Sequence, residues 1–153
     1  MKRLLLTLSL ALILSLAWGT AVYASGSDSA KGNVNQNGTV WRFSATSNFN
    51  GTQPSGTIKI TFANNDPNLV VSADVTCLNV VNGQFEAHGV VTDVKGGTFF
   101  GNGVIIRGSD AGKFSTTPDT FQGFFSFADP GPCPAPTPGS PVTDGEIVVQ
   151  DSF

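Results

Sequence analysis

The stretch LVVSADVTCLNVVNGQFEAHGVVTDV, residues 69–94, decides the fold. It alternates apolar and polar residues on both sides of Asn82-Gly83, the pattern of two antiparallel strands joined by a tight turn. Two registers compete. A two-residue turn pairs Val81 with Gln84 and sets Cys77 opposite His88, leaving both faces mixed. A three-residue loop with Gly83 as a bulge pairs Val80 with Gln84 instead. Val71, Ala73, Val75 and Cys77 then share a face with Phe85, Ala87, Gly89 and Val91, and Ser72, Asp74, Thr76, Leu78, Glu86, His88, Val90 and Thr92 share the other. A one-residue slip turns every side chain over, so the cleaner separation favours the second register.

The same alternation extends outward. Residues 39–46 place Trp41, Phe43 and Ala45 on one side, and residues 57–62 place Ile58, Ile60 and Phe62 on one side. Residues 64–68 compose a turn. Strands follow at 103–107, 120–128 and 145–150, the last with Ile147 and Val149 on one face. The connection 129–141 carries Pro130, Pro132, Pro134, Pro136, Pro138 and Pro141 around Cys133, a stiff extended loop. Residues 25–37 are polar and Asn- and Gly-rich without apolar periodicity, which reads as a flexible lead-in. The reading is a single all-β domain over 38–153, about seven or eight antiparallel strands in a meander-type barrel, with a β-sandwich as the alternative.

Residues 1–24 read as an export signal. Lys2 and Arg3 precede an almost unbroken apolar run to Ala17, and Val22-Tyr23-Ala24 suits a signal-peptidase cut. The apolar run is shorter than the roughly 20 residues of a spanning helix, so no membrane span is expected after cleavage. Of the 8 basic residues, Lys2 and Arg3 leave with the signal; the remaining six face 11 carboxylates, a net charge of −5. With no Lys or Arg cluster, that balance excludes a nucleic-acid binder. The expected location is outside the cytoplasmic membrane, secreted or periplasmic. An oxidising compartment allows the two cysteines, Cys77 and Cys133, to join; two buried free thiols are the alternative. Two Cys and one His leave a four-ligand zinc site incomplete.

The 12 Phe bury apolar area without needing a hydrogen-bond partner, which suits a core. Phe121, Phe125 and Phe127 can fill such a core or line a cavity. His88 is the only histidine, so any acid–base or nucleophilic mechanism near neutral pH runs through it, with Glu86 or Asp74 beside it and Thr76 opposite. An outward sheet face contains the same residue types for solubility alone. Carboxylate pairs for glycoside hydrolysis would be Asp74 with Glu86, or Glu86 with Asp93, although an odd separation puts the second pair on opposite faces. Oxygen-rich loops at 64–68, or Ser109, Asp110 and Asp119, suit calcium, but no EF-hand spacing exists and turn chemistry explains them. Residues 96–103, GGTFFGNG, lack the Gly-Lys-Ser/Thr ending of a phosphate loop. Asn37-Gly38-Thr39 and Asn50-Gly51-Thr52 match the glycosylation sequon. No metal or cofactor is expected.

Val75-Thr76-Cys77-Leu78-Asn79-Val80 with Asn82-Gly83 and Gly89-Val90-Val91 resembles a pattern of small secreted bacterial all-β proteins without a known activity. Pro132-Cys133-Pro134 and residues 142–151, VTDGEIVVQD, are similar to the same family. The resemblance spans about 38–151 and implies a disulfide-linked, secreted all-β domain. It carries no catalytic residues to transfer. Three functions fit the residues. The first is a non-enzymatic domain binding a small apolar ligand or an extracellular or envelope partner. The others are a small hydrolase or isomerase using His88 with Glu86 or Asp74, and a surface protein that self-assembles through its edge strands. The oligomeric state stays open.

Overall fold

The structure, a computed structural model, describes residues 26–48, 51–64 and 66–152. The signal-like segment 1–24 and Asn50 of the second sequon lie outside these residues. Among the described residues nine strands are formed: β1 (Ser27–Gln36), β2 (Thr39–Asn48), β3 (Ser55–Phe62), β4 (Asp66–Val81), β5 (Gln84–Lys95), β6 (Gly103–Ser109), β7 (Thr120–Ser126), β8 (Ser140–Pro141) and β9 (Gly145–Gln150). They make one antiparallel sheet in the order β8-β7-β6-β5-β4-β3-β2-β1-β9, curled into a half-barrel. The expected meander of antiparallel strands in one curled sheet is therefore the architecture, as a half-barrel left open between β8 and β9 and not as a sandwich. Every consecutive pair from β1 to β8 is a neighbour, and only β9 returns to the start of the chain.

Residues 27–36 are a strand and not a flexible lead-in. Asn37 (φ 53°) and Gly38 (φ 79°) make a two-residue turn that pairs Gln36 with Thr39, and the positive φ at both positions is what Asn-Gly supplies. The strand lacks an apolar period because, of its inward positions, Asp28 is polar and Ala30 and Gly32 are small, leaving Val34 alone as a large apolar residue. A Cβ on Gly32 would collide with the Phe43 ring, and Ala30 is fully buried. β2 provides the bulk that β1 omits.

The central hairpin combines both candidate registers. Asn82 (φ 52°) and Gly83 (φ 73°) form a two-residue turn, Val81 pairs with Gln84, and Cys77 pairs with His88. The ladder shifts between Val75 and Cys77, so that Val75 pairs with Gly89 and Ala73 with Val91. The extra residue demanded by the hydrophobic pattern is Thr76, within β4, and not a residue of the turn. That bulge corrects two expectations: Leu78, expected outside, is 1% exposed in the core, and Cys77 turns to the outer face beside His88. A second shift, at Thr92, turns the far end of β5 over in the same way.

The interior of the half-barrel is filled by aromatic rings. Phe43 stacks on Phe85 and Phe121 at 5.3 and 5.7 Å, and Trp41 lies against Phe121 and Phe125 at 5.7 and 5.3 Å. β2 and β7 thus meet across the interior, packed so closely that a Cβ on Gly123 would lie 2.5 Å from the Trp41 ring. The open side, where β9 faces the β6–β7 connection, is bridged by side chains in place of a strand ladder. Asp119 Oδ2 accepts from the Ile147 amide at 3.0 Å, and Asp110 Oδ2 from the Val149 amide at 3.1 Å.

Candidate functional site

Two places gather chemistry. The first lies on the outer face of β5. Glu86 and His88 are two residues apart on one strand and so project to the same side. The Thr76 bulge brings Cys77 opposite His88, and the Cys77–Cys133 disulfide pins the Pro-rich connection across both. That connection is ordered by its own bonds. Asp129 Oδ1 accepts from the Gly131 amide at 2.9 Å, and the Asn79 amide group donates to the Pro134 carbonyl at 2.8 Å. Covered in this way, His88 is 3% and Glu86 5% exposed, although they stand on the outside of the sheet.

His88 Nδ1 lies 2.9 Å from the Gly131 carbonyl and Nε2 lies 3.1 Å from Glu86 Oε1. A carbonyl only accepts, so Nδ1 carries a proton and donates. The second contact needs a further proton, carried by Nε2 as an imidazolium or by Glu86 as the acid. Both ring nitrogens are engaged by protein atoms, and the bond to Gly131 fastens the Pro-rich connection over the sheet. Asp74 is exposed and pairs with Val90, and Thr76 is exposed at the bulge. The sequence-based triad therefore comes together only in its His88–Glu86 part.

The carboxylate pair Glu86 and Asp93 also fails as a glycosidase couple. The Thr92 bulge returns Asp93 to the outer face, contrary to the parity argument, but seven residues of strand span roughly 20 Å, more than twice the separation that chemistry uses. Asp93 instead pairs with Lys95 at 3.2 Å. The candidate calcium oxygens are occupied as well. All four carboxylate oxygens of Asp110 and Asp119 accept from backbone amides, those of Gly112, Val149, Ala111 and Ile147. In the expected 64–68 turn, Asn65 lies outside the described residues and Asp66 to Asn68 instead open β4, where Asp66 Oδ1 accepts from the Asn68 amide at 3.2 Å.

The second place is one end of the half-barrel, where the β5–β6 connection meets the end of β7. Phe99 packs edge-on against Phe125 at 4.9 Å, and Phe125 stacks on Trp41 and on Phe62, continuing the aromatic core to the surface. Beyond them Phe100 and Phe127 are 80% and 82% exposed. Together with Thr98 and Ser126 these rings border a depression of about 280 Å³. Sequence reasoning named Phe125 and Phe127 but missed Phe100, read as part of a glycine-rich connection; the doublet Phe99-Phe100 between glycines was the available signal. A larger groove of about 550 Å³ runs beside the disulfide, bordered by Asp28, Cys77, Leu78, Pro132, Asp151 and Ser152. Its Asp28 carboxylate is already engaged by the amide and hydroxyl of Ser152, at 3.0 and 2.6 Å. No family model matches the chain, and neither the curated proteins nor the solved structures compared with it include a match.

Proposed function

We propose that this chain is a secreted, non-enzymatic binding domain that takes a small apolar ligand at its Phe99–Phe127 end. The observation that carries this reading is the pair of almost fully exposed rings, Phe100 and Phe127, beside a depression whose floor is continuous with the aromatic core. Exposed Phe gains nothing from water, and several rings gathered around one hollow are an apolar patch of the kind that marks ligand and partner sites. The depression, about 280 Å³, sits at the small end of the range of ligand sites, which favours a compact molecule over a docked protein segment. The disulfide is consistent with life outside the reducing cytoplasm. Among the described residues no helix is long and apolar enough to cross a membrane.

The test uses an apolar naphthalene-sulfonate dye, whose fluorescence rises on leaving water, with the wild type and the Phe100→Ser, Phe127→Ser double variant. Both side chains are exposed, so the variant keeps its fold and its melting temperature to within a few degrees. The expected result is dye binding by the wild type and at least a tenfold weaker association in the variant. Equal binding by the two proteins, or none by the wild type, refutes the assignment. An extracellular protein partner would appear instead as loss of pull-down without any loss of dye binding.

A further inference from the structure

The outer-face cluster has a use that its oxidised form conceals. Ligand atoms of Cys77, His88 and Cys133 all lie within 4.8 Å of one another. Glu86 Oε1 stands 3.1 Å from His88 Nε2. In a tetrahedral zinc site, metal–nitrogen and metal–oxygen bonds of about 2 Å place neighbouring N and O ligand atoms roughly 3.3 Å apart. Cys77, His88 and Cys133 are thus within a short movement of such edges, while Glu86, outside that cluster, is the group His88 Nε2 would release. The second ring nitrogen, Nδ1, donates to the Gly131 carbonyl at 2.9 Å, the type of bond that orients a ligating histidine and settles which nitrogen faces the ion. We propose that, once the disulfide is reduced, Cys77, Cys133 and His88 hold a thiophilic d¹⁰ cation such as Zn²⁺, with the fourth position taken by water.

The chemistry balances with a thiol reductant as the co-reactant. Two R–SH molecules deliver two electrons and two protons to the Cys77–Cys133 bond, giving two cysteine thiols and one R–S–S–R. Binding the divalent ion then releases both thiol protons, and the proton shared by His88 and Glu86 leaves as the cation takes its place. The ion and the disulfide exclude one another, since both use the same two sulfurs. Sulfur atoms on one zinc stand roughly 3.8 Å apart, so only a modest opening of the 129–134 connection is required. Either crosslink fastens that connection to β4, and reduction exchanges one for the other.

Cobalt(II) is the probe, because thiolate ligation in a tetrahedral site gives it intense visible and near-ultraviolet bands. The full chain is reduced with a phosphine, exchanged out of it without oxygen, checked for strand content by circular dichroism, and titrated. The expected result is one cobalt per chain with thiolate charge-transfer bands, none in the unreduced protein, and at least tenfold weaker binding in His88→Ala and in Cys133→Ser. Absence of those bands in the reduced wild type overturns the proposal, as does an unchanged affinity and spectrum in His88→Ala, or uptake by the unreduced protein. If reduction unfolds the chain, adding Zn²⁺ is expected to restore the strand signal, because binding only the folded form shifts the equilibrium towards it. Failure to restore it counts equally against the site.

Discussion

At the scale of single residues, His88 separates a loop clamp from a catalytic base. Its two bonds go to the Gly131 carbonyl and to Glu86, so removing the ring strands a buried carboxylate and a carbonyl together. His88→Ala is expected to cost about 3–5 kcal/mol, the usual loss when one partner of a buried pair is deleted. Glu86→Gln keeps an amide beside Nε2 that can donate to it while Nδ1 still donates to Gly131, and is expected to cost only about 1 kcal/mol. Urea unfolding of the two variants measures the contrast. Limited proteolysis adds the location, since the His88 variant should be cut first within 129–134. Equal, small losses in both would mean that the disulfide alone holds the connection and the buried pair adds nothing to it.

At the scale of elements, the bulge in β4 governs which face each half of the strand presents. Deleting Thr76 joins two halves of opposite parity, so that either Leu78 and Val80 leave the core or Val71, Ala73 and Val75 do. Each alternative exposes at least two buried aliphatic side chains, at about 1.5–3 kcal/mol apiece. The deletion variant is therefore expected to be unfolded at room temperature, whereas Thr76→Ser, which keeps the residue count, should melt within a few degrees of wild type. A folded deletion variant would disprove the role given to the bulge. This is also where legibility ends. The periods of β2 and β3 were plain because Trp41, Phe43, Ile58 and Ile60 are large and alternate without interruption. β1 was illegible because Ala30 and Gly32 are small in response to Phe43 across the ladder, a relation between strands that a window along one strand does not contain. The hydrophobic pattern did require an odd residue in the hairpin, and it placed that residue in the turn because glycine there is the local signal for a bulge. In the site, the shared face of Glu86 and His88 was readable from their spacing. Their burial was not, since the cover arrives from residues 129–134 and depends on where Cys133 is fastened.

At the scale of the molecule, an open sheet has two edges, and each is a template for another chain. β8 is blunted by being two residues long and ending in Pro141, which has no amide proton to donate. β9 is longer and carries Val148, half exposed, so its protection must come from elsewhere. It comes from Asp119 and Asp110, whose carboxylates occupy the Ile147 and Val149 amides that an added strand would use. Charge placed on an edge also repels a second copy presenting the same charge. This capping argues against assembly through the β9 edge. Replacing both residues, Asp110→Ala with Asp119→Ala, removes acceptors from four backbone amides and bares the edge. Each half-buried, charge-assisted bond is worth about 1 kcal/mol once solvent screening is allowed for, so a loss of roughly 3–4 kcal/mol in stability is expected. A shift towards dimers and larger species with rising concentration should accompany it in sedimentation velocity. Asp110→Asn with Asp119→Asn keeps a carbonyl oxygen at each position and should recover most of the stability, but it lacks the charge and is expected to associate more than wild type. If the double alanine variant is destabilised yet remains monomeric at high concentration, the carboxylates serve only to close the half-barrel, and the edge is protected by its curvature.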